Sequence, residues 1–279
     1  MPHTTRPPVV DITAAIPGLA AYARTAIRLH PRRGTPKMAD SHIGGPLLWP
    51  SADPWPRCLQ GHDVAMTPVA QLFVSDLLGY PFPADYDLVQ FLWCPAHEAH
   101  FQAEMHTRWR RTADVTDVLF DPPKCHRAED EMVPFPCVLD PEPVTEYPWE
   151  EDLPRKIRNA IRAWEKGYPA YQYGLSIASG CKVGGGMSWE VTDMNVPPTC
   201  PECGARSHPF LQLDSTEWGG ESDHEGGDPR WRPIEDAALL YRFEKEAREP
   251  TGLGIGRHSH GSFHLCSADP DHAMSFHVQ

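Results

Sequence analysis

The sequence predicts an α+β, strand-rich fold made of two halves related by a pseudo-two-fold, and three observations carry that reading. First, 31 prolines and 21 glycines in 279 residues favour many short elements separated by turns over long helices. Second, apolar runs at 69–74 and 87–94 have the length and composition of buried strands. Third, a block of motifs occurs twice. Gly-Gly-x3-Trp, then Pro-x-Cys, then Pro-x2-Gln-Leu runs from Gly44 to Leu72 and again from Gly184 to Leu213. Gly44 and Gly184 are 140 positions apart, Cys58 and Cys200 are 142 apart, and Gln71 and Gln212 are 141 apart. Identities kept in order over such constant offsets point to an internal duplication.

Taken in order, residues 1–10 read as a loose, proline-bearing arm. Pro17 to His30 is expected to be helical, with Ile16, Ala20, Ala23 and Ile27 on one face. The first repeat follows, and Met105–Arg111 and Val115–Phe120 are expected to add strands. The stretch 121–152 is rich in proline and acid, which excludes a long helix, and reads as a connector or as an arm anchored by Phe135, Tyr147 and Trp149. Asp152 is expected to cap a helix through Lys166, stopped at Gly167. Its stripe is Ile157, Ile161 and Trp164, and Arg155, Lys156, Arg158, Arg162 and Lys166 form a basic face. Tyr171–Ala178 alternates like a strand. Glu217–Asp228 reads as a polar loop, Ile234–Glu249 as a helix, and Gly261–Cys266 with Ala273–Val278 as a closing hairpin. The resulting boundaries are 1–40 for the arm and helix, 41–120 for the first half, 121–152 for the connector and 153–279 for the second half.

The chemistry resides in the cysteines. Cys200-Pro201-Glu202-Cys203-Gly204 places two thiols two residues apart on a turn whose glycine can take positive φ, the shape of a zinc knuckle. Cys58 and His62 form a cruder version at the matching place in the first block. Downstream of each block a strand ends in a cysteine, in Cys94-Pro95-Ala96-His97 and in Cys266-Ser267-Ala268-Asp269-Pro270-Asp271-His272. Two zinc-ribbon-like sites follow: Cys58, His62, Cys94 and His97, and Cys200, Cys203, Cys266 and His272, with Asp269 as the alternative fourth ligand of the second. Four protein ligands leave no open position, so both zincs are expected to be structural. Cys125, Cys137 and Cys181 show no ligand spacing.

Other motifs carry less. Gly252–Gly256 lacks the spacing and the lysine of a phosphate loop and reads as a close backbone approach. The carboxylates from Asp214 to Asp228 do not match a calcium loop. An enzyme reading would place a site in the groove between halves, built from Gln71, Gln212, Asp214, His258 and His260. No nucleophile elbow is present. A net charge of −13 disfavours nucleic acid, and no apolar run approaches the ~18–20 residues of a membrane span. The N-terminus lacks an uninterrupted apolar core, so a reducing cytoplasm is expected to surround the cysteines.

Several of these segments also resemble a family. Ser41-His42-Ile43-Gly44-Gly45-Pro46-Leu47-Leu48-Trp49-Pro50, Val69-Ala70-Gln71-Leu72, Phe210-Leu211-Gln212-Leu213-Asp214-Ser215 and Trp218-Gly219 look like the YwqG-like family of bacterial domains of unknown function. The resemblance covers residues 40–279, and the cysteine–histidine pairs make this chain look like a zinc-binding branch. It implies a duplicated α+β fold and supplies no catalytic residues. The residues favour a non-enzymatic module that presents a surface or the groove between halves to a protein or peptide partner; because some family members sit beside secreted-toxin genes, the resemblance adds an immunity-type or partner-binding role. The chain departs from the family at 121–152 and 217–228.

Overall fold

A computed structural model describes residues 2–8, 10–60, 62–96, 103–165, 171–189, 198–219, 230–239, 241–257 and 259–279. Its strands are β1 (Arg24–Arg28), β2 (Arg32–Arg33), β3 (His42–Ile43), β4 (Thr67–Phe73), β5 (Leu88–Trp93), β6 (Met105–Arg110), β7 (Cys137–Val138), β8 (Glu142–Glu146), β9 (Lys182–Gly184), β10 (Ser207–Asp214), β11 (His260–Cys266) and β12 (Ser275–Val278). They form two six-stranded antiparallel sheets, ordered β12-β11-β10-β9-β1-β8 and β2-β7-β3-β4-β5-β6.

β4, β5, β6, β11 and β12 fall where strands are expected; β10, which carries the second Pro-x2-Gln-Leu copy, completes the β10–β11–β12 meander beside the β4–β5–β6 one. Both β4 and β10 begin near a proline, Pro68 and Pro209. Proline cannot donate to a ladder, and the register shifts between Pro68 and Ala70 and again between Pro209 and Leu211. Two residues further on, Gln71 and Gln212 are buried. The Gln71 amide donates to the Met38 carbonyl (2.8 Å) and accepts from the Leu48 amide (2.7 Å), while Gln212 donates to the Gly180 carbonyl (3.0 Å). Each glutamine ties its strand to the segment leading into the neighbouring short strand. The shared Pro-x2-Gln-Leu motif is therefore a scaffold device.

Residues 24–33 and 137–146 form a two-strand ribbon that runs through both sheets, with β1 on β8 and β2 on β7. The ribbon joins β9 through β1 and β3 through β7. This corrects two expectations. The 17–30 stretch is not a helix: a four-residue α1 (Ile12–Ala15) and a 3₁₀ turn at Leu19–Tyr22 precede β1. Gly18 at φ +93° breaks the helical path, and β1 is paired on both sides from Ala26 to Arg28, so apolar Ala26 and Ile27 and charged Arg28 alike are buried there. Residues 121–152 do more than connect, because β7 and β8 come from them; Pro143 is accommodated in β8 at the sheet edge.

Further differences are local. The arm is fastened rather than loose: the Thr5 amide donates to Glu142 (2.9 Å), the Arg6 amide to the Arg230 carbonyl (3.3 Å), and the Thr4 carbonyl accepts from Ile234 (2.9 Å). Residues 115–120 form only an isolated bridge, Pro50 to Val118. Helix α2 is Arg155–Glu165, and its first turn is closed on the Pro154 carbonyl rather than capped by Asp152. Its Ile157 and Ile161 pack against Ile12, Ile16, Leu19, Tyr171 and Leu175, and Arg162 on its basic face reaches Glu150 at 2.5 Å. Lys166 and Gly167 lie outside the described residues. Tyr171–Ser176 is a π-helical turn rather than a strand, and the 234–249 helix is split into a 3₁₀ turn, Ile234–Asp236, and α3, Tyr241–Arg248.

The sheets share one core. Ile43, Val69, Phe91 and Trp93 of one sheet pack with Val183, Phe210, Leu211 and Phe263 of the other. Phe91 sits 4.8 Å from Phe263 and 6.2 Å from Phe210, ring centroid to ring centroid. The Gly-Gly motif has a matching steric cause. Gly44 and Gly184 take φ +69° and +71°, and a Cβ at Gly44 would stand 2.5 Å from the Phe135 carbonyl oxygen. Gly44→Ala is expected to cost about 1–3 kcal/mol from left-handed strain alone, with the backbone clash added, read as a lower midpoint in urea.

Candidate metal centres

Both knuckles are tight turns closed by backbone bonds. In the first, Cys58 donates its amide to the Val64 carbonyl (2.9 Å), Met66 donates to Pro56 (2.9 Å), and Arg57 bridges to Ala65. In the second, Cys200 donates to Ala205 (2.7 Å), Gly204 to Cys200 (2.9 Å) and Ser207 to Pro198 (2.8 Å). Gly204 takes φ +72°, as the knuckle requires. Facing them, Cys94 follows directly on β5 and Cys266 ends β11, so paired strands deliver the partner thiols.

The ligand atoms of Cys200, Cys203, Cys266 and His272 all lie within 4.8 Å of one another, as do those of Cys58, His62 and Cys94. In the second centre Cys203 Sγ is 3.6 Å from Cys266 Sγ and Cys200 Sγ is 3.6 Å from His272 Nδ1. In the first, His62 Nδ1 stands 3.7 Å from Cys58 Sγ and 3.4 Å from Cys94 Sγ. A tetrahedral ion with 2.3 Å bonds to sulfur requires sulfurs about 3.8 Å apart, and slightly less between sulfur and imidazole nitrogen. The observed edges fit that polyhedron.

No family model and no curated protein matches the chain. The donor geometry is therefore what speaks for the site.

The second centre is supported on all sides. The Ala268 amide points at Cys266 Sγ (3.4 Å), the Ala273 amide donates to Glu202 (2.6 Å), and Ser267 donates to the Arg206 carbonyl (3.0 Å). The loop carrying His272 is also gripped from the first half, where Tyr86 donates to Asp271 (2.9 Å) and Trp109 to the Pro270 carbonyl (2.9 Å). Asp269 is not in the ligand group. Its carboxylate lies 3.8 Å from His272 Nε2, on the far side of the ring from the sulfurs, where a carboxylate orients a ligating imidazole. Against the effect of burial, the Ala268 and Asp269 amides bring the Cys266 thiol down to about 6, and Cys266 raises His272 to about 8. In the first centre burial, followed by the contact with Cys58, pushes Cys94 up to about 12. His97, the fourth ligand expected there, lies outside the described residues.

The described residues of the enzyme reading are buried and hydrogen-bonded within the scaffold. Asp214 is buried and accepts from the Gly180 amide (3.1 Å) and the Thr216 amide (3.0 Å). His260 is buried with Nε2 3.2 Å from Ser188 Oγ, and Gln71 and Gln212 tie backbone segments together. His258 lies outside the described residues. Glu217, expected in a solvated loop, is buried instead. It accepts from the Cys181 amide (3.0 Å), and its carbonyl takes a bond from Arg28 (3.0 Å). Cys137 and Cys181 are core thiols pushed up by burial.

Sequence reasoning missed a buried ion pair, Lys182 with Glu146 at 2.5 Å. A lysine beside Val183 in a glycine-flanked apolar strand was the available signal. It also missed that His30, His42, His260 and His264 are buried and held neutral. Burial pushes His30, His42 and His260 from 6.5 down to about 4. His42 accepts from the Gly45 amide at Nδ1 and donates from Nε2 to the Pro46 carbonyl, a pairing that only the neutral ring can make. The unfolded chain takes up these protons near pH 6.5 and the folded chain near pH 4. Their contribution is thus complete above about pH 6.5 and is lost as pH falls towards 4, up to about 3 kcal/mol per group. His42→Asn should flatten that part of the stability–pH curve, measured by thermal melts from pH 7 to pH 4; an unchanged slope would show that His42 titrates alike in the folded and unfolded chain.

Proposed function

We propose that the chain is a non-enzymatic, zinc-stabilised binding protein in which two structural zinc centres hold a duplicated scaffold in shape. The observation that carries the reading is the set at Cys200, Cys203, Cys266 and His272, whose four ligand atoms lie within 4.8 Å of one another, two pairs of them at 3.6 Å, so that four protein ligands around one ion would leave no position for a reacting water. The choice of zinc follows from thiolate-rich donors in tetrahedral spacing. When bound, zinc supplies charge neutralisation and a cross-link between the knuckle and the strand end.

Duplication is supported by the sheets as well as by the repeated motifs. Adding six to each strand number, counted cyclically over twelve, turns β6-β5-β4-β3-β7-β2 into β12-β11-β10-β9-β1-β8, the order of the other sheet. The resemblance to the YwqG-like family supports an immunity-type or partner-binding role with a protein or peptide partner in the cytoplasm. The net charge of −13 argues against nucleic acid as that partner. Among the described residues no helix is long and apolar enough to cross a membrane.

Elemental analysis of protein prepared without chelator is expected to return about two zinc atoms per chain, as two four-ligand sites require. A value near zero overturns the reading. The partner-binding refinement is tested by mixing the purified chain with the product of a secreted-toxin gene, where one adjoins its own, and looking for a stoichiometric complex by sedimentation; no complex rejects the immunity role.

A further inference from the structure

The three described donors of the first centre leave one tetrahedral corner unassigned. Cys125 borders it. Its side chain packs against the small buried cluster of Cys58, Val64 and Cys94, beside Ala96. The backbone brings it there: the Glu129 amide donates to the Pro95 carbonyl (2.8 Å), clamping the chain just after Cys125 onto the turn that follows Cys94. Cys125 is half-buried whereas its neighbours Lys124 and His126 are exposed, so of the three it is the thiol that faces the cluster.

We propose that Cys125 is the fourth ligand of the first centre, completing a three-cysteine, one-histidine set with Cys58, His62 and Cys94 for a thiophilic divalent ion. The inference rests on the metal reading given above. Cys125 Sγ is not among the atoms lying within 4.8 Å of one another, so ligation draws it inward. It sits in a stretch without helix or strand, where such a movement breaks no ladder. On binding, the thiol proton passes to solvent and no redox change occurs. The first centre then has the same donor set as the second. It also gains a purpose: the metal pins the proline-rich 121–136 stretch to the sheet that holds β5, just ahead of β7, which enters that same sheet.

Cobalt(II) in place of the native ion makes each thiolate ligand visible as charge-transfer absorption. In the full-length protein, Cys58→Ser should abolish one of the two cobalt sites. Cys125→Ser should keep both at saturating metal, lose about one sixth of the thiolate-to-cobalt intensity, and weaken one site by more than about tenfold in chelator competition, the least that losing even an outer-shell partner costs. His97→Ala should change neither reading. Unchanged intensity in Cys125→Ser, with or without an effect of His97→Ala, overturns the assignment. If Cys58→Ser leaves the cobalt count unchanged, the metal reading of this centre fails and the inference falls with it. A measurement without substitution guards against a misfolded variant: iodoacetamide should spare Cys125 in the metal-loaded protein and label it after chelation, and equal labelling in both states rejects ligation.

Discussion

Cys200→Ser is expected to remove one metal ion per chain and to lower the melting temperature by about 6–12 °C, the equivalent of about 3 kcal/mol in a chain of this size. The magnitude follows from what the ion holds. Structural zinc contributes ~10–16 kcal/mol of apparent binding free energy where it is the whole source of folding. Here a core spanning both sheets persists without it. What is lost is the closure between the knuckle at 200–204 and the end of β11, together with the His272 loop. Because Tyr86 and Trp109 grip that loop from the first half, the damage should spread beyond the second meander. Hydrogen exchange is expected to rise at β11, β12 and β6 and to remain low at β4. Chelation of the wild type should produce the same shift, and chelation of the variant should add only the first centre's share. A variant that loses its metal yet keeps its melting temperature would show that the ion does not hold the fold, and the structural assignment would fail.

The parts legible from sequence were those with a local physical cause. The thiol spacing, the glycine after the knuckle and the proline at the head of β4 and β10 each act within a few residues, and the structure places them as read. Strands such as β5 were legible because every residue in it is buried, which leaves an apolar run broken only by Gln90. The failures were non-local. Arg24–Arg28 looked helical because Ala and Ile fell at helical spacing, whereas its fate is decided by β8 on one side and β9 on the other, more than a hundred residues away. Cys125 lies 31 positions beyond Cys94, and no ligand-spacing rule reaches that far; its packing against the Cys58–Cys94 cluster and the Glu129–Pro95 bond bring it into view. Buried charges were hidden for the same reason, since Lys182 and Glu146 are 36 residues apart and each alone reads as exposed.

That pair gives the second large effect, and its two members should not be equivalent. Both side chains are buried, and Glu146 serves three donors: Lys182 Nζ and the Ala178 amide at one oxygen, the Gly186 amide at the other. Lys182→Met leaves the carboxylate with its two amide donors and is expected to cost about 3 kcal/mol, the lower end for breaking a buried pair. Glu146→Leu strands the lysine and both amides, so about 5 kcal/mol or more is expected, each orphaned group adding about 1–3 kcal/mol. The carboxylate also packs 2.2 Å from where a Cβ would stand on Gly185, so the glycine run 184–186 is shaped around it. Glu146→Gln separates charge from shape. Burial already holds Lys182 below its usual value, with Glu146 opposing that shift; without the counter-charge the amine is held lower still. The unfolded chain then binds a proton that the folded chain does not, so the stability of Glu146→Gln should rise with pH until the unfolded lysine itself deprotonates near pH 10. Urea midpoints at pH 6, 8 and 9.5 decide it. A loss in Glu146→Gln that is the same at all three, and no larger than that of Lys182→Met, would mean that the pair is not ionic and that Glu146 acts only as an acceptor for the two amides.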